Sequence, residues 1–196
     1  MPKVGMEPIR RAALVKATIS EIGRVGSLDV TVSQIAKRAG MSSALAHHYF
    51  GSKEQIFLAA MRHILTLYGA EIRGALAAAE GPRGRLIAII RASFATSSFR
   101  REVIGAWLNF YVLAQTLPEA KRLLDVYQGR LQSNLVHALN PLVGDRAGAI
   151  ARGLGAMIDG VYIREALKGG APDGAAAAGM VLAYLDLELA AGPEDA

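Results

Sequence analysis

The chain contains no cysteine, so a disulfide framework, a thiol nucleophile and a Cys-based zinc site are all excluded. It has no run of about 18 uncharged apolar residues, the length a membrane-spanning helix needs. The N-terminal MPKVGMEPIRRAALVKA lacks an apolar stretch long enough for a secretory signal, and a cytoplasmic protein with no membrane partner is expected. Catalytic constellations are also missing. There is no G-x-S-x-G, no H-E-x-x-H and no phosphate-binding glycine loop, and His63 and His137 each stand apart from other reactive side chains. No catalytic residue, metal site or cofactor is therefore expected, and a helical enzyme remains only as the alternative class.

Sustained alternation of apolar and polar residues is absent too, so no sheet is expected. What the chain has instead is helical periodicity. With 52% hydrophobic residues among 196, enough apolar surface is available for a substantial core. The spacing predicts about nine helices, near 7–23, 32–39, 43–49, 53–79, 82–97, 100–116, 118–139, 145–168 and 172–189. Pro82, Pro118 and Pro172 fall in expected first turns, where a missing N–H costs nothing. The fold class is all-α.

Between Thr31 and Lys53 the sequence reads TVSQIAKRAGMSSALAHHYFGSK. Thr31 and Gln34 have the spacing of a capping box that opens a helix, and Ile35, Ala36 and Ala39 give that helix a narrow apolar face. Gly40 supplies the residue that tolerates positive φ past a helix C-terminus, and Ser42 can cap the next helix. Small residues at the crossing let two helices pack closely, as in a helix-turn-helix that lays its second helix in a DNA major groove. Ser43, Ala44, His47 and His48 are the side chains this helix would expose. Ser52 and Gln55 form a second potential box, with Lys53 placed beside it to meet a phosphate.

The segments IAKRAGMS and HHYFGSKEQIF resemble the DNA-binding head of TetR-type transcriptional regulators. The resemblance implies a three-helix head, a fourth helix leading into a ligand-sensing body, and double-stranded operator DNA as partner. Mapped by motif, it places Thr31, Ser42, Ser43, Ala44, His47, His48, Tyr49 and Lys53 toward DNA. His47 is a departure, since the family often has Tyr there. The expected division is a helix-turn-helix domain over 1–52 and a ligand-binding and dimerisation domain over 53–196.

Charge agrees without reference to any family. Met1 to Arg62 carries nine basic and four acidic residues, which accounts for the whole net charge of +5 and leaves the remainder neutral. A cationic head on a neutral body suits a polyanionic partner.

In the body, Ile150, Leu154, Met157, Ile158 and Val161 share one helical stripe, and Ala176, Met180, Ala183, Tyr184 and Leu187 share another. Either pair of faces can close the chain's own core or meet a second copy, and two-fold operator reading favours a homodimer. Trp107, Phe110, Tyr111, Tyr127 and Tyr162, with Asp159, supply aromatic faces and a carboxylate, which can be core or can form a cage for a quaternary ammonium ion. MPKVGMEPIRR, AWLNFY and GAMIDGVYIREAL further resemble choline-responsive repressors within the same family. That resemblance implies choline or a related small cation as effector, and control of choline uptake and glycine betaine synthesis. A TetR-type regulator of efflux or lipid metabolism, sensing an apolar molecule in the same cavity, is the alternative.

Overall fold

A computed structural model describes residues 5–97 and 99–191. Nine α-helices and one short 3-10 turn make up these residues, with no strand among them. In order they are α1 (Met6–Val25), α2 (Val32–Arg38), α3 (Ser43–Phe50), α4 (Lys53–Ala77), α5 (Gly81–Ser93), α6 (Arg101–Leu113), α7 (Pro118–Val143), α8 (Ala147–Leu167) and α9 (Gly174–Ala190), with the 3-10 turn at Gly144–Arg146. The all-α expectation holds.

Several boundaries differ from the periodicity, each for a local reason. Helix α5 ends at Ser93, four residues early, where the Ser93 hydroxyl donates to the Ile89 carbonyl and Phe94 leaves helical geometry. Helix α9 starts after Pro172, because the Asp173 carboxylate accepts the Ala176 N–H and so becomes the cap. Helix α7 runs on through Pro141 to Val143. Proline there forfeits one hydrogen bond in the final turns, where loss of a bond is least disruptive.

The packing divides into two compact units. The first comprises the described residues up to Leu65 together with Arg101–Leu123, so α6 belongs with α1, α2, α3 and the first part of α4. Its core contains Leu14, Ile22, Val30, Ile35, Ala46, Ile56, Leu58, Ile104 and Phe110, all at most 3% exposed. Helices α1 and α6 meet backbone to backbone. A Cβ added at Gly23 would fall on the Cα of Glu102, and one added at Gly105 would lie 3.5 Å from the Gly23 Cα. Such an approach leaves no room for any side chain at Gly23.

The second unit comprises Thr66–Arg100 and the described residues from Leu124 onward. Helix α9 packs on α5 and α8. Leu86, Ile89, Ile90, Leu135, Leu139, Leu154, Ile158, Val181 and Leu185 form its interior. Of the α8 stripe, Ile150, Leu154, Ile158 and Val161 are thus core, and Met157 is half-buried. Among the described residues of α8 and α9, the large apolar side chains left exposed are Ile163, Leu167, Met180 and Leu187.

Replacing Gly23 with Ala should force α1 and α6 apart and lower stability by about 2 kcal/mol, the usual scale for overpacking a close contact. Chemical unfolding followed by circular dichroism checks it; an unchanged midpoint would mean the crossing is soft.

Candidate nucleic-acid interface and interior aromatic site

The helix-turn-helix is built by its caps. The Thr31 Oγ1 accepts the Gln34 N–H at 3.2 Å while the Gln34 Oε1 accepts the Thr31 N–H at 2.7 Å, closing the expected box. At the far end Met41 N–H reaches the Ala36 carbonyl and Gly40 N–H the Lys37 carbonyl, at 2.9 and 3.1 Å, with Gly40 at φ 68°. This is the Schellman arrangement that stops a helix and turns the chain sharply. Ser42 Oγ then accepts the Leu45 N–H at 3.2 Å and starts α3. The second box forms by half: Ser52 Oγ accepts from Gln55 N–H, but the Ser52 N–H donates to Phe50 O.

Of the eight side chains placed toward DNA, Thr31, Ser42, Ala44, His47 and His48 are exposed, and Ser43 and Lys53 are half-buried. The Lys53 ammonium stands 5.4 Å from the Phe57 ring centroid. Tyr49 is buried. Its hydroxyl accepts from the Arg10 guanidinium at 3.4 Å, and Arg11 covers its ring and that of Phe50 at 5.5 and 5.1 Å. Tyr49 is thereby a pedestal for two cations of α1 that the motif did not single out. The adjacent basic pair in EPIRR was the available signal.

Arg38 does not stand free on the surface. It binds the carboxylate of Glu21, which also accepts from Arg24 at 2.8 Å and is 4% exposed. The hydrogen bond from Arg24, then that from Arg38, hold the Glu21 carboxyl below its ordinary range against the opposing effect of burial. One buried carboxylate of α1 therefore fixes the end of α2. A depressed folded-state pKa means that this stability is complete above the ordinary carboxylate range and disappears as pH falls through that range and below it. Glu21→Gln should lower stability at pH 7 by about 1–2 kcal/mol, less than for a fully buried pair because both arginines reach water. The deficit should shrink toward pH 3; urea titrations at the two pH values measure it, and a pH-independent deficit would contradict the charge pairing.

In the second unit the aromatics gather around Ser93. Tyr68 of α4 shares a hydrogen bond of 3.1 Å with the Ser93 hydroxyl, and Tyr162 of α8 donates to the Ser93 carbonyl at 2.6 Å. Tyr127 of α7 meets Tyr68 edge to face at 5.4 Å, and Phe94 and Phe99 pack on Tyr162 at 5.7 and 5.1 Å. Burial pushes the Tyr68 phenol up to about 12, assisted by the charges of Asp159 and Glu71. The Tyr162 phenol is raised further, again by burial first and then by Tyr68, Glu71 and Asp159. Two carboxylates thus act on the hydroxyls of one buried tyrosine cluster. A groove of about 550 Å³ between α7 and α8 opens beside Asp159, lined also by Gln128, Leu131, Gln132 and Arg152.

The six residues named from sequence for this site fall into distinct groups. Tyr127, Asp159 and Tyr162 belong to the cluster just described. On α6, in the other unit, Trp107 packs on both Phe110 and Tyr111. Tyr68 and Glu71 were missed. They stand three apart on α4, as Asp159 and Tyr162 do on α8, and this shared spacing was the legible clue. Among the described residues no group of His, Asp or Glu converges to hold a metal ion, and no helix is long and apolar enough to cross a membrane.

A capped, exposed helix on a basic head, followed by a helical unit with an interior aromatic cluster, defines a helix-turn-helix regulator of transcription. Comparison with known proteins carries the assignment further. Residues 14–60 match the tetR family of bacterial regulatory proteins, and residues 82–190 match the C-terminal part of BetI-type transcriptional repressors. The HTH-type transcriptional regulator BetI of Brucella anthropi is 53% identical over 96% of this chain and 98% of its own. The chain belongs to the TetR family, in its BetI-type repressor branch. Among solved structures, a transcriptional regulator from Pseudomonas aeruginosa PAO1 is 25% identical, with a TM-score of 0.79 over 93% of this chain and 91% of its own. A regulator from Saccharomonospora viridis in complex with choline has the same fold at 21% identity, with a TM-score of 0.79 over 90% of this chain and 95% of its own.

Proposed function

We propose that this protein acts as a homodimer that holds operator DNA through α3 and releases it when choline, or a closely related quaternary ammonium cation, occupies the tyrosine cluster of the second unit. The observation that carries the reading is the convergence of Tyr68, Tyr127 and Tyr162 with the charges of Glu71 and Asp159. Aromatic faces attract quaternary ammonium groups, and carboxylates supply the opposing charge. In this reading the cage consists of these five residues, and Trp107, Phe110 and Tyr111, which belong to the first unit, are not part of it. The choline complex of a protein with this fold supports the same ligand class. The genes under control are those for choline uptake and glycine betaine synthesis.

On the DNA side, Thr31, Ser42, Ser43, Ala44, His47, His48 and Lys53 meet the duplex, while Tyr49 acts through Arg10 and Arg11. Residues 1–52 form the reading head and 53–196 the sensing and dimerising part. The apolar side chains exposed on α8 and α9, Leu167 and Leu187 above all, supply the dimer contact. A ligand can shift this system only by binding the released form more tightly than the DNA-bound form.

Thermal unfolding with choline, betaine aldehyde and a neutral isostere of choline tests the cage. Each cation at 100 times its Kd should stabilise by about 2.7 kcal/mol, with no shift from the isostere. The double variant Glu71→Gln, Asp159→Asn should lose the response. A gel shift on DNA immediately upstream of the protein's own gene should show a complex that choline dissolves. Equal stabilisation by cations and isostere would favour an apolar ligand instead.

A further inference from the structure

His47 is exposed on α3, the helix that the reading above lays in the major groove. Its Nδ1 lies 3.1 Å from the carbonyl oxygen of Gly51. A carbonyl only accepts, so Nδ1 carries the proton and, in the neutral ring, Nε2 presents a lone pair. Gly51 returns the contact: its N–H donates to the His47 carbonyl at 2.7 Å, and its φ of 76° turns the chain at the end of α3. One backbone bond and one side-chain bond between the same two residues hold the imidazole in place. Elsewhere on the outer face, Ser43 and Ala44 are shorter, and His48 has its ring against Tyr49 at 5.5 Å.

In the major groove the exocyclic amino groups of adenine and cytosine are donors, while the edges of guanine and thymine offer O6, N7 and O4, which only accept. A fixed acceptor discriminates between these two classes. We propose that His47 is a specificity-determining residue whose Nε2 accepts from the amino group of adenine or cytosine at one strand position of each operator half-site. Guanine or thymine there would set lone pair against lone pair and leave both unsatisfied. The assignment rests on the operator-binding reading above.

Selection from randomised duplex DNA with the full-length wild-type protein, His47→Ala and His47→Lys tests it. The wild type should favour adenine or cytosine by about tenfold at one position per half-site, the scale of one base contact. His47→Ala should keep the rest of the operator and lose discrimination at that position, with an unchanged slope of log affinity against log salt. His47→Lys, which can only donate, should invert the preference toward guanine or thymine. An Ala variant that retains the wild-type preference overturns the proposal. If its salt slope is also shallower, His47 is a phosphate contact. A wild-type protein that enriches no sequence at all overturns the operator reading, and this assignment with it.

Discussion

The backbone contact of α1 with α6 at Gly23 and Gly105 is the constraint on which the placement of the reading head depends. Helix α1 cannot slide or roll there without meeting Glu102. Two residues earlier on α1, Glu21 binds Arg38 and thereby holds the end of α2. The Schellman turn at Gly40 then sets α3 relative to α2, and Arg10 and Arg11 engage Tyr49 and Phe50 at the end of α3. Each step is a short, specific contact, so the position of α3 follows from the position of α6. The chain itself connects α6 to the aromatic cluster, because Arg101 opens that helix two residues after Phe99 packs on Tyr162. Helix α4 is one of three places where the chain passes from one unit to the other, after Leu65, Arg100 and Leu123.

The proposed sensing of a cation by the cluster around Ser93 rests on electrostatics. The charges of Glu71 and Asp159 both oppose ionisation of Tyr68 and Tyr162. In the proposed site a quaternary ammonium group would meet those charges without bringing an N–H donor of its own. A neutral molecule of the same shape would bring no opposing charge. The ammonium charge, more than its shape, is what the proposed site would measure.

Local chemistry was legible in the sequence wherever it decided the outcome. The Thr31 box, the Gly40 turn and the Ser42 cap could be read because each is made by residues three or four apart. Long-range partners could not be read that way. Nothing in the spacing of Glu21 and Arg38, 17 residues apart, distinguishes a buried clamp from two solvated charges. The same limit explains Tyr49, which occupies a motif position for DNA but turns inward under Arg10 and Arg11. It explains the proposed cage as well: Tyr127, Tyr162 and Asp159 could be named from residue type, whereas Tyr68 and Glu71 emerged only when α4 was placed beside Ser93. Periodicity overran the end of α5 because a hydroxyl and an aromatic knot, not a helix breaker, terminate it.

The proposed release requires that a cation bound in the second unit change the separation of the two reading heads. The absence of cysteine allows a single spin label at the exposed Ser33 of α2, through Ser33→Cys, without competing sites. Electron–electron distance measurements on the dimer bound to its operator should give one narrow distribution, compatible with recognition helices about 34 Å apart. Adding choline should release the DNA and move that distribution by several ångströms, a displacement large enough to break two-groove register. An identical distribution for the operator-bound and choline-bound dimer would contradict the account.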